Sequence, residues 1–159
     1  MRAGPDASRA PRAADCVERG HGEVVRAALD AGCARVVVGI GGSASTDGGA
    51  GMLGALGPRF LDADGVDLSP GGGALARLDR ADLSGLHPAL DQGEVVLATD
   101  VDNPLLGPRG AAAVYGPQKG ASPADIELLD AALARLSQVL ATATGAGCRG
   151  QPAATLAGA

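Results

Sequence analysis

Aromatic residues are almost missing from this chain of 159 residues, which has one Phe, one Tyr and no Trp. Large aromatic side chains supply much of the buried area of most cores, so this core has to be built from many small Ala, Val and Leu side chains. Hydrophobic residues still make up 46% of the chain and charged residues 19%. That balance is typical of a folded domain rather than a disordered one.

Positive charge, cysteine and histidine are also scarce. The formal net charge is −5, and no basic face is visible of the kind that a nucleic-acid-binding protein needs. The cysteines (Cys16, Cys33 and Cys148) are odd in number and far apart, and there are only two histidines. A disulfide framework, a zinc site and a His-based metal site are therefore not expected. No apolar run reaches the length of a membrane span, and the N-terminus lacks the apolar stretch of a secretory signal. We expect a reduced, cytoplasmic protein that binds neither membrane nor nucleic acid.

The amino-acid composition changes along the chain and divides it into three zones. Residues 1–20 are of low complexity, rich in Ala, Arg and Pro, and are expected to be unstructured. Residues 21–145 carry the patterns of regular secondary structure. Residues 146–159 form an irregular tail with no pattern that could pack.

The middle zone alternates between helical and strand patterns. Helices are predicted at Glu23–Ala31, at Gly49–Leu56 and after the N-cap residue Ser122. The β-branched run Arg35–Val38 and the run Glu94–Thr99 predict strands buried on both faces. The order helix, strand, loop, helix favours an α/β fold with a parallel sheet and a Rossmann-like core.

The first segment that could carry chemistry is the glycine-rich loop Gly39–Gly49. Its glycines let backbone N–H groups approach an anion, and a helix N-terminus follows directly. Ser43, Ser45, Thr46 and Asp47 add hydroxyls and a carboxylate that could hold Mg²⁺. The alternatives are a turn without a ligand and a dinucleotide-binding loop, for which the G-x-G-x-x-A match is weak. A Walker-type loop is excluded because no Gly-Lys-Ser/Thr occurs.

The second segment follows the second predicted strand, where ligand crevices of open α/β sheets lie. Asp100, Asp102 and Asn103 offer the hard oxygen ligands that suit Mg²⁺. The third segment, Gly107–Ala121, holds Arg109 and Lys119 in loops shaped by Gly and Pro. Cations on loops near carboxylates are what phosphoryl transfer uses to neutralise developing charge.

Taken together, the three segments resemble the type I glycerate kinase family over roughly Gly22 to Gly145. The motifs that carry the resemblance are GIGGSASTDGGAGMLGALG, ATDVDNPLLGPRGAAAVYGPQKGA and the helix start SPADIELLDAAL. The resemblance implies a partial glycerate kinase fold and transfer of the γ-phosphoryl group of ATP to D-glycerate, with Mg²⁺. It gives no oligomeric state and does not say which hydroxyl is phosphorylated.

The resemblance also implies roles for individual residues. Asp47, Asp100 and Lys119 would be catalytic, with Asp47 or Asp100 orienting the glycerate hydroxyl or holding Mg²⁺. Arg109 would join Lys119 in steadying phosphate or the substrate carboxylate. The other binding positions implied are Gly41, Gly42, Ser43, Ser45 and Asn103.

Both ends of the chain depart from the family pattern. Family members are longer and carry a D-S-F-K-G-S segment and a P-G-A-G-A-A-G-G loop that are absent here. The two ends resemble nothing in the family and look like the result of truncation or a frame shift. The expectation is therefore an incomplete kinase, a fragment with little or no turnover. The alternatives are a non-catalytic remnant that still binds nucleotide or phosphate, and a product with no function.

Overall fold

The computed structural model describes residues 13–15, 19–41, 43–99 and 101–145. Within them the α-helices are α1 (Arg19–Asp30), α2 (Ala50–Ala55), α3 (Ala111–Tyr115) and α4 (Pro123–Thr144). The strands are β1 (Arg35–Gly39), β2 (Arg59–Leu61), β3 (Arg80–Asp82) and β4 (Glu94–Ala98). None of the helices in this part of the chain is both long and apolar enough to cross a bilayer.

Strands β1 and β4 pair in parallel, in a register that aligns Arg35 with Glu94 and Gly39 with Ala98. One further bond, from the Ile40 N–H to the Ala98 carbonyl at 2.9 Å, extends the ladder past the end of β1. The predicted α/β fold with a parallel sheet is confirmed. Because the two strands run in the same direction, both of their carboxyl ends lie at one edge.

The prediction that both strands are buried on both faces is wrong for β1, since Val37 is 62% exposed. Helix α1 covers one face, where Val25 and Leu29 pack with Val36 and Val38. Val37 points to the other face, because side chains alternate along a strand. In the described part of the chain this sheet has only two strands, and no described element shields Val37 on that face.

The main core forms around α4. Its predicted apolar stripe is confirmed, and the residues of this helix that are buried are Leu129, Ala132, Leu133, Leu136, Ser137, Val139 and Leu140. They pack mainly against the 3-10 helix Gly72–Arg77. The start of α4 is also as predicted: Ser122 is the N-cap, and it forms a reciprocal capping box with Asp125. The antiparallel pair β2–β3 completes this part of the molecule.

The N-terminal region is more ordered than expected from its composition. A 3-10 helix at Ala13–Asp15 has both of its alanines buried, and α1 begins at Arg19 rather than at Glu23. Gly22 is what lets α1 lie directly on α2, because an added Cβ would sit 2.3 Å from the Met52 carbonyl oxygen. The remaining positions assigned to the two end zones, 1–12, 16–18 and 146–159, lie outside the described residues.

Candidate functional site

The loops that follow β1 and β4 lie at the same edge of the parallel pair. The pairing of Gly39 with Ala98 brings the first two predicted segments side by side. The third segment joins them through Lys119, whose Nζ donates a hydrogen bond to the carbonyl oxygen of Ser45. The sequence therefore identified three segments that converge in the fold.

Asp47 is the most deeply buried residue of this group, with 1% exposure. Its Oδ1 accepts hydrogen bonds from the Ser45 hydroxyl at 2.7 Å and from the Gly49 N–H at 3.0 Å. Its Oδ2 accepts from the Gly51 N–H at 3.0 Å. The carboxylate thus satisfies N–H groups at the beginning of α2, where the helix dipole also favours negative charge. Asp47 shapes the loop from within.

These contacts bear on the metal that the sequence predicted. Both Asp47 oxygens already accept bonds from the protein and have almost no contact with solvent, so this carboxylate does not fit a Mg²⁺ ligand. Nowhere in residues 13–15, 19–41, 43–99 or 101–145 do three His, Cys, Asp or Glu residues group as metal ligands would. Asp100 and Gly42, both predicted for the site, lie outside the described residues.

Lys119 is the only lysine of the chain. It ends the 3-10 helix Pro117–Lys119, which follows α3 after Gly116. Gly120 then takes a left-handed conformation, with φ of 81°, and turns the chain toward α4. The partly buried ammonium group is thereby set against the first loop. A cation in this position can attract an anionic ligand at the carboxyl edge of the sheet.

The beginning of the glycine-rich loop is more open than its end. The Ser43 hydroxyl accepts a hydrogen bond from the Ser45 N–H at 3.0 Å, which curls the backbone at this point. Gly41 is exposed, and an added Cβ there would meet no atom of the described residues within 4 Å. Packing against the described residues therefore does not require glycine at this position.

Asn103 and Arg109 belong to a second cluster, built on the turn before α3. The Asn103 Nδ2 donates to the Arg109 carbonyl at 3.3 Å, and its Oδ1 accepts from the Tyr115 hydroxyl at 2.7 Å. The Arg109 side chain is exposed and makes no hydrogen bond or ion pair with the residues that the structure describes. Asp102 is exposed next to Asn103.

Two residues of this cluster were not predicted. Tyr115 holds Asn103, and Asp130 of α4 accepts a hydrogen bond from the Gly107 N–H at 2.9 Å, which anchors the turn. The sequence could have pointed to Tyr115, because it is the single tyrosine of the chain and lies within a segment rich in glycine and proline. Asp130 gave no comparable signal, since a charged residue on a helix is ordinarily a solvated one.

Comparison with known proteins gives a consistent result. The family model described as "Glycerate kinase family" matches residues 2–159. The chain is 49% identical over 140 residues to a glycerate kinase of Bacillus subtilis (strain 168) and 45% identical over 140 residues to a glycerate 2-kinase of Escherichia coli (strain K12). Each alignment covers 88% of this chain and 37% of the relative.

A solved structure shares the fold as well. The crystal structure of a protein assigned as glycerate kinase 2 from Salmonella typhimurium LT2 superposes with a TM-score of 0.87 at 45% identity, covering 97% of this chain and 41% of the other. The chain thus spans a little over a third of the length of the curated relatives it matches. The expectation that both ends resemble nothing in the family is wrong, because the family match includes them.

Proposed function

The chain belongs to the glycerate kinase family, and we propose that it contributes active-site loops to the transfer of the γ-phosphoryl group of ATP to the hydroxyl of D-glycerate. The activity, the substrates and a cytoplasmic location are all parts of this proposal. The observation that carries it is the meeting of three loops at the carboxyl edge of the β1–β4 pair, with Lys119 bonded to the Ser45 carbonyl. Ligands of open α/β sheets bind at such edges.

Lys119 and Arg109 are the residues proposed to stabilise the negative charge of the phosphoryl group and of the substrate carboxylate. Transfer of a phosphoryl group spreads negative charge over its oxygens, and cations fixed beside them stabilise that charge. Lys119 is held between two loops, so little of its freedom is left to lose on binding. Arg109 is exposed, and it is proposed to contact the phosphates or the glycerate carboxylate.

The backbone of the first loop is proposed to approach the ligand at Gly41, Gly42 and Ser43. The absence of any described atom within 4 Å of an added Cβ at Gly41 supports this part of the proposal. Ser45 and Asp47 hold the loop in shape, since the Ser45 hydroxyl is bonded to the buried carboxylate. Asp47 is therefore proposed to position the loop rather than to act on the substrate.

Asp100 is proposed as the carboxylate that orients the glycerate hydroxyl. The case for it rests on its sequence position, two residues after the end of the Glu94–Ala98 strand. Mg²⁺ would neutralise charge on the phosphates when bound, but the buried and hydrogen-bonded Asp47 does not fit it as a ligand. Asn103 is proposed to contact the ligand, with its amide held by neighbours in its own loop.

Because Lys119 is the only lysine of the chain, chemical labelling of lysine can test whether ATP binds beside it. An acyl phosphate of ATP transfers its acyl group to an amine that lies beside the bound phosphates. Mass spectrometry should find Lys119 acylated, unmodified ATP should prevent the reaction, and acetyl phosphate at the same concentration should label it far less. Equal labelling by both reagents, unaffected by ATP, would contradict a nucleotide site at Lys119.

Turnover requires donor, acceptor and catalytic groups to be held together, so it is measured separately from binding. Thermal melts of the wild type, Lys119→Met and Lys119→Arg are recorded with and without Mg-ATP and D-glycerate. Ligands that bind the native state raise the melting temperature, and we expect the rise to be lost in Lys119→Met and partly kept in Lys119→Arg. ADP formation by the chain, or by a chimera with a full-length family member, then tests the kinase activity. Nucleotide binding without turnover in either would favour a non-catalytic binding module.

A further inference from the structure

Tyr115 is the only tyrosine of the chain, and its hydroxyl makes a 2.7 Å hydrogen bond with a loop residue of the candidate site. The partner is Oδ1 of Asn103, whose Nδ2 lies 3.3 Å from the carbonyl oxygen of Arg109. Three groups from one turn and the helix that follows it thus form a short chain of hydrogen bonds. Nothing in the family resemblance assigns a role to this tyrosine.

The direction of each bond follows from what the groups can do. A backbone carbonyl only accepts, so the Asn103 amide must turn its nitrogen toward Arg109. Its oxygen then faces Tyr115, and because that oxygen only accepts, the tyrosine hydroxyl has to donate. The Arg109 carbonyl therefore selects one of the two flipped orientations of the amide, and the Tyr115 hydroxyl, which can either donate or accept, adds a second bond that holds the amide in that orientation.

This orientation determines what Asn103 can offer to a ligand. One N–H of the amide is used by the Arg109 carbonyl, and one oxygen lone pair is used by Tyr115. The second N–H has no partner among the described residues, and it is the group best suited to an anion. The exposed Arg109 side chain extends from the same turn and favours negative charge there.

We propose that Tyr115 is a positioning residue that, together with the Arg109 carbonyl, holds Asn103 as a hydrogen-bond donor to an anionic oxygen of the ligand. This inference rests on the proposed function, and it deepens that function by assigning the chemistry at Asn103. The oxygen belongs either to a phosphate of ATP or to the carboxylate of D-glycerate. Titrating each ligand alone distinguishes the two sources.

The surroundings make Tyr115→Phe a mild substitution. The ring ends helix α3 and is only partly buried, so phenylalanine keeps its packing and removes a single hydroxyl. The turn itself is anchored independently, by the bond from the Gly107 N–H to Asp130. Loss of the hydroxyl therefore leaves the Asn103 amide held only by its 3.3 Å bond to the Arg109 carbonyl, without releasing the loop.

The test measures binding of ATP and of D-glycerate by calorimetry in wild type, Tyr115→Phe, Asn103→Ala and the double variant. For the ligand that Asn103 contacts, Tyr115→Phe should weaken binding about three- to tenfold, the effect of one ordinary hydrogen bond. Asn103→Ala should weaken it at least as much. The double variant should bind no more weakly than Asn103→Ala, because Tyr115 acts only through Asn103.

Asn103→Asp separates this inference from a metal-ligand role. A donor to an anion becomes a repelling carboxylate, so Asn103→Asp should bind more weakly than Asn103→Ala. An Asn that held Mg²⁺ through its oxygen would instead tolerate aspartate. Retained affinity in Asn103→Asp, or additive losses in the double variant, would overturn the inference.

The tyrosine itself provides a readout that needs no ligand. With no tryptophan in the chain, the near-ultraviolet tyrosine band reports on this ring alone, and Asn103→Ala should shift it. Wild type that binds neither ATP nor D-glycerate would overturn the proposed function, and with it the donor role, even if the band shifts. Ligand binding that Tyr115→Phe leaves unchanged would overturn the positioning role alone.

Discussion

Replacing Asp47 by asparagine keeps the size of the side chain and removes one acceptor from a buried network. The carboxylate receives three described bonds, from the Ser45 hydroxyl and from the N–H groups of Gly49 and Gly51. Asparagine has one oxygen, and either orientation of its amide leaves one of the two glycine N–H groups facing an NH₂. The Ser45 hydroxyl can rotate to adapt, but a backbone N–H cannot.

The magnitude follows from that single orphaned donor. Leaving a buried donor without a partner costs about 1–3 kcal/mol. Loss of the negative charge at the beginning of α2 adds about 0.3–1 kcal/mol. We therefore expect Asp47→Asn to lower the free energy of unfolding by about 2–3 kcal/mol, a large part of the 5–15 kcal/mol of a typical domain. Asp47→Ala, which orphans both glycine N–H groups, should cost more.

The assay is urea unfolding followed by circular dichroism, with wild type, Asp47→Asn and Ser45→Ala compared at one pH. With a slope of about 1–3 kcal/mol per molar urea, the expected loss moves the midpoint by about 1 M or more. Ser45→Ala removes one donor to the carboxylate and the 3.3 Å acceptor of the Asp47 N–H, but it keeps the negative charge and both glycine N–H bonds, so it should move the midpoint less. An Asp47→Asn variant as stable as wild type but unable to bind ligand would refute the structural role and return Asp47 to the substrate.

Three further predictions concern parts of the molecule away from the site. Gly22→Ala should destabilise the chain by about 1–3 kcal/mol through overpacking against α2. Gly20→Ala on the same helix, where an added Cβ would meet no described atom within 4 Å, should stabilise it by about 0.5 kcal/mol. Equal melting temperatures for the two variants would contradict this packing. The hydrogen bond from Arg59 holds the pKa of the exposed Asp67 carboxyl below its usual 3.8. The stability that this pair adds is therefore present above pH 3.8 and is lost as the pH falls through the lowered pKa. Asp67→Asn should thus be slightly less stable than wild type at neutral pH and converge with it in acid, and a constant difference in pH-dependent unfolding would exclude this linkage. Val37→Thr should change the free energy of unfolding by no more than about 0.5 kcal/mol, and a larger loss would show that this face is covered.

Short sequence patterns correctly predicted those helices and strands whose signals lie within the segment itself. Helix α4 carries its own start signal in Ser122 and Asp125, and its leucine spacing defines one buried face. The run Val36–Val38 likewise predicts a strand from side-chain shape alone. The same run could not say which faces are covered, because burial depends on neighbours that are far away in sequence. Val37 is exposed for that reason, although its residue type matches the two valines beside it.

The site shows the same division between residue type and environment. Type and position placed Asp47 and Asn103 at the carboxyl edge of the sheet, and the strand register brings their loops there. Type alone could not show that Asp47 is enclosed while Asp102 is exposed. Nor could it show that Tyr115 reaches Asn103, since the contact depends on how the turn between them folds.

The glycine-rich loop shows that residues of one type can have different roles within a single motif. Gly48 and Gly49 have positive φ angles of 62° and 85°, and a Cβ on Gly48 would lie 2.7 Å from a methyl carbon of Leu133. These glycines are needed by the backbone conformation and by the core. Gly41 has no such neighbour among the described residues. One continuous motif therefore has two physical halves, of which the later half is tied down by Asp47 and the earlier half is the part proposed to bind the ligand. Asp47 can be essential to binding in this arrangement without touching what is bound.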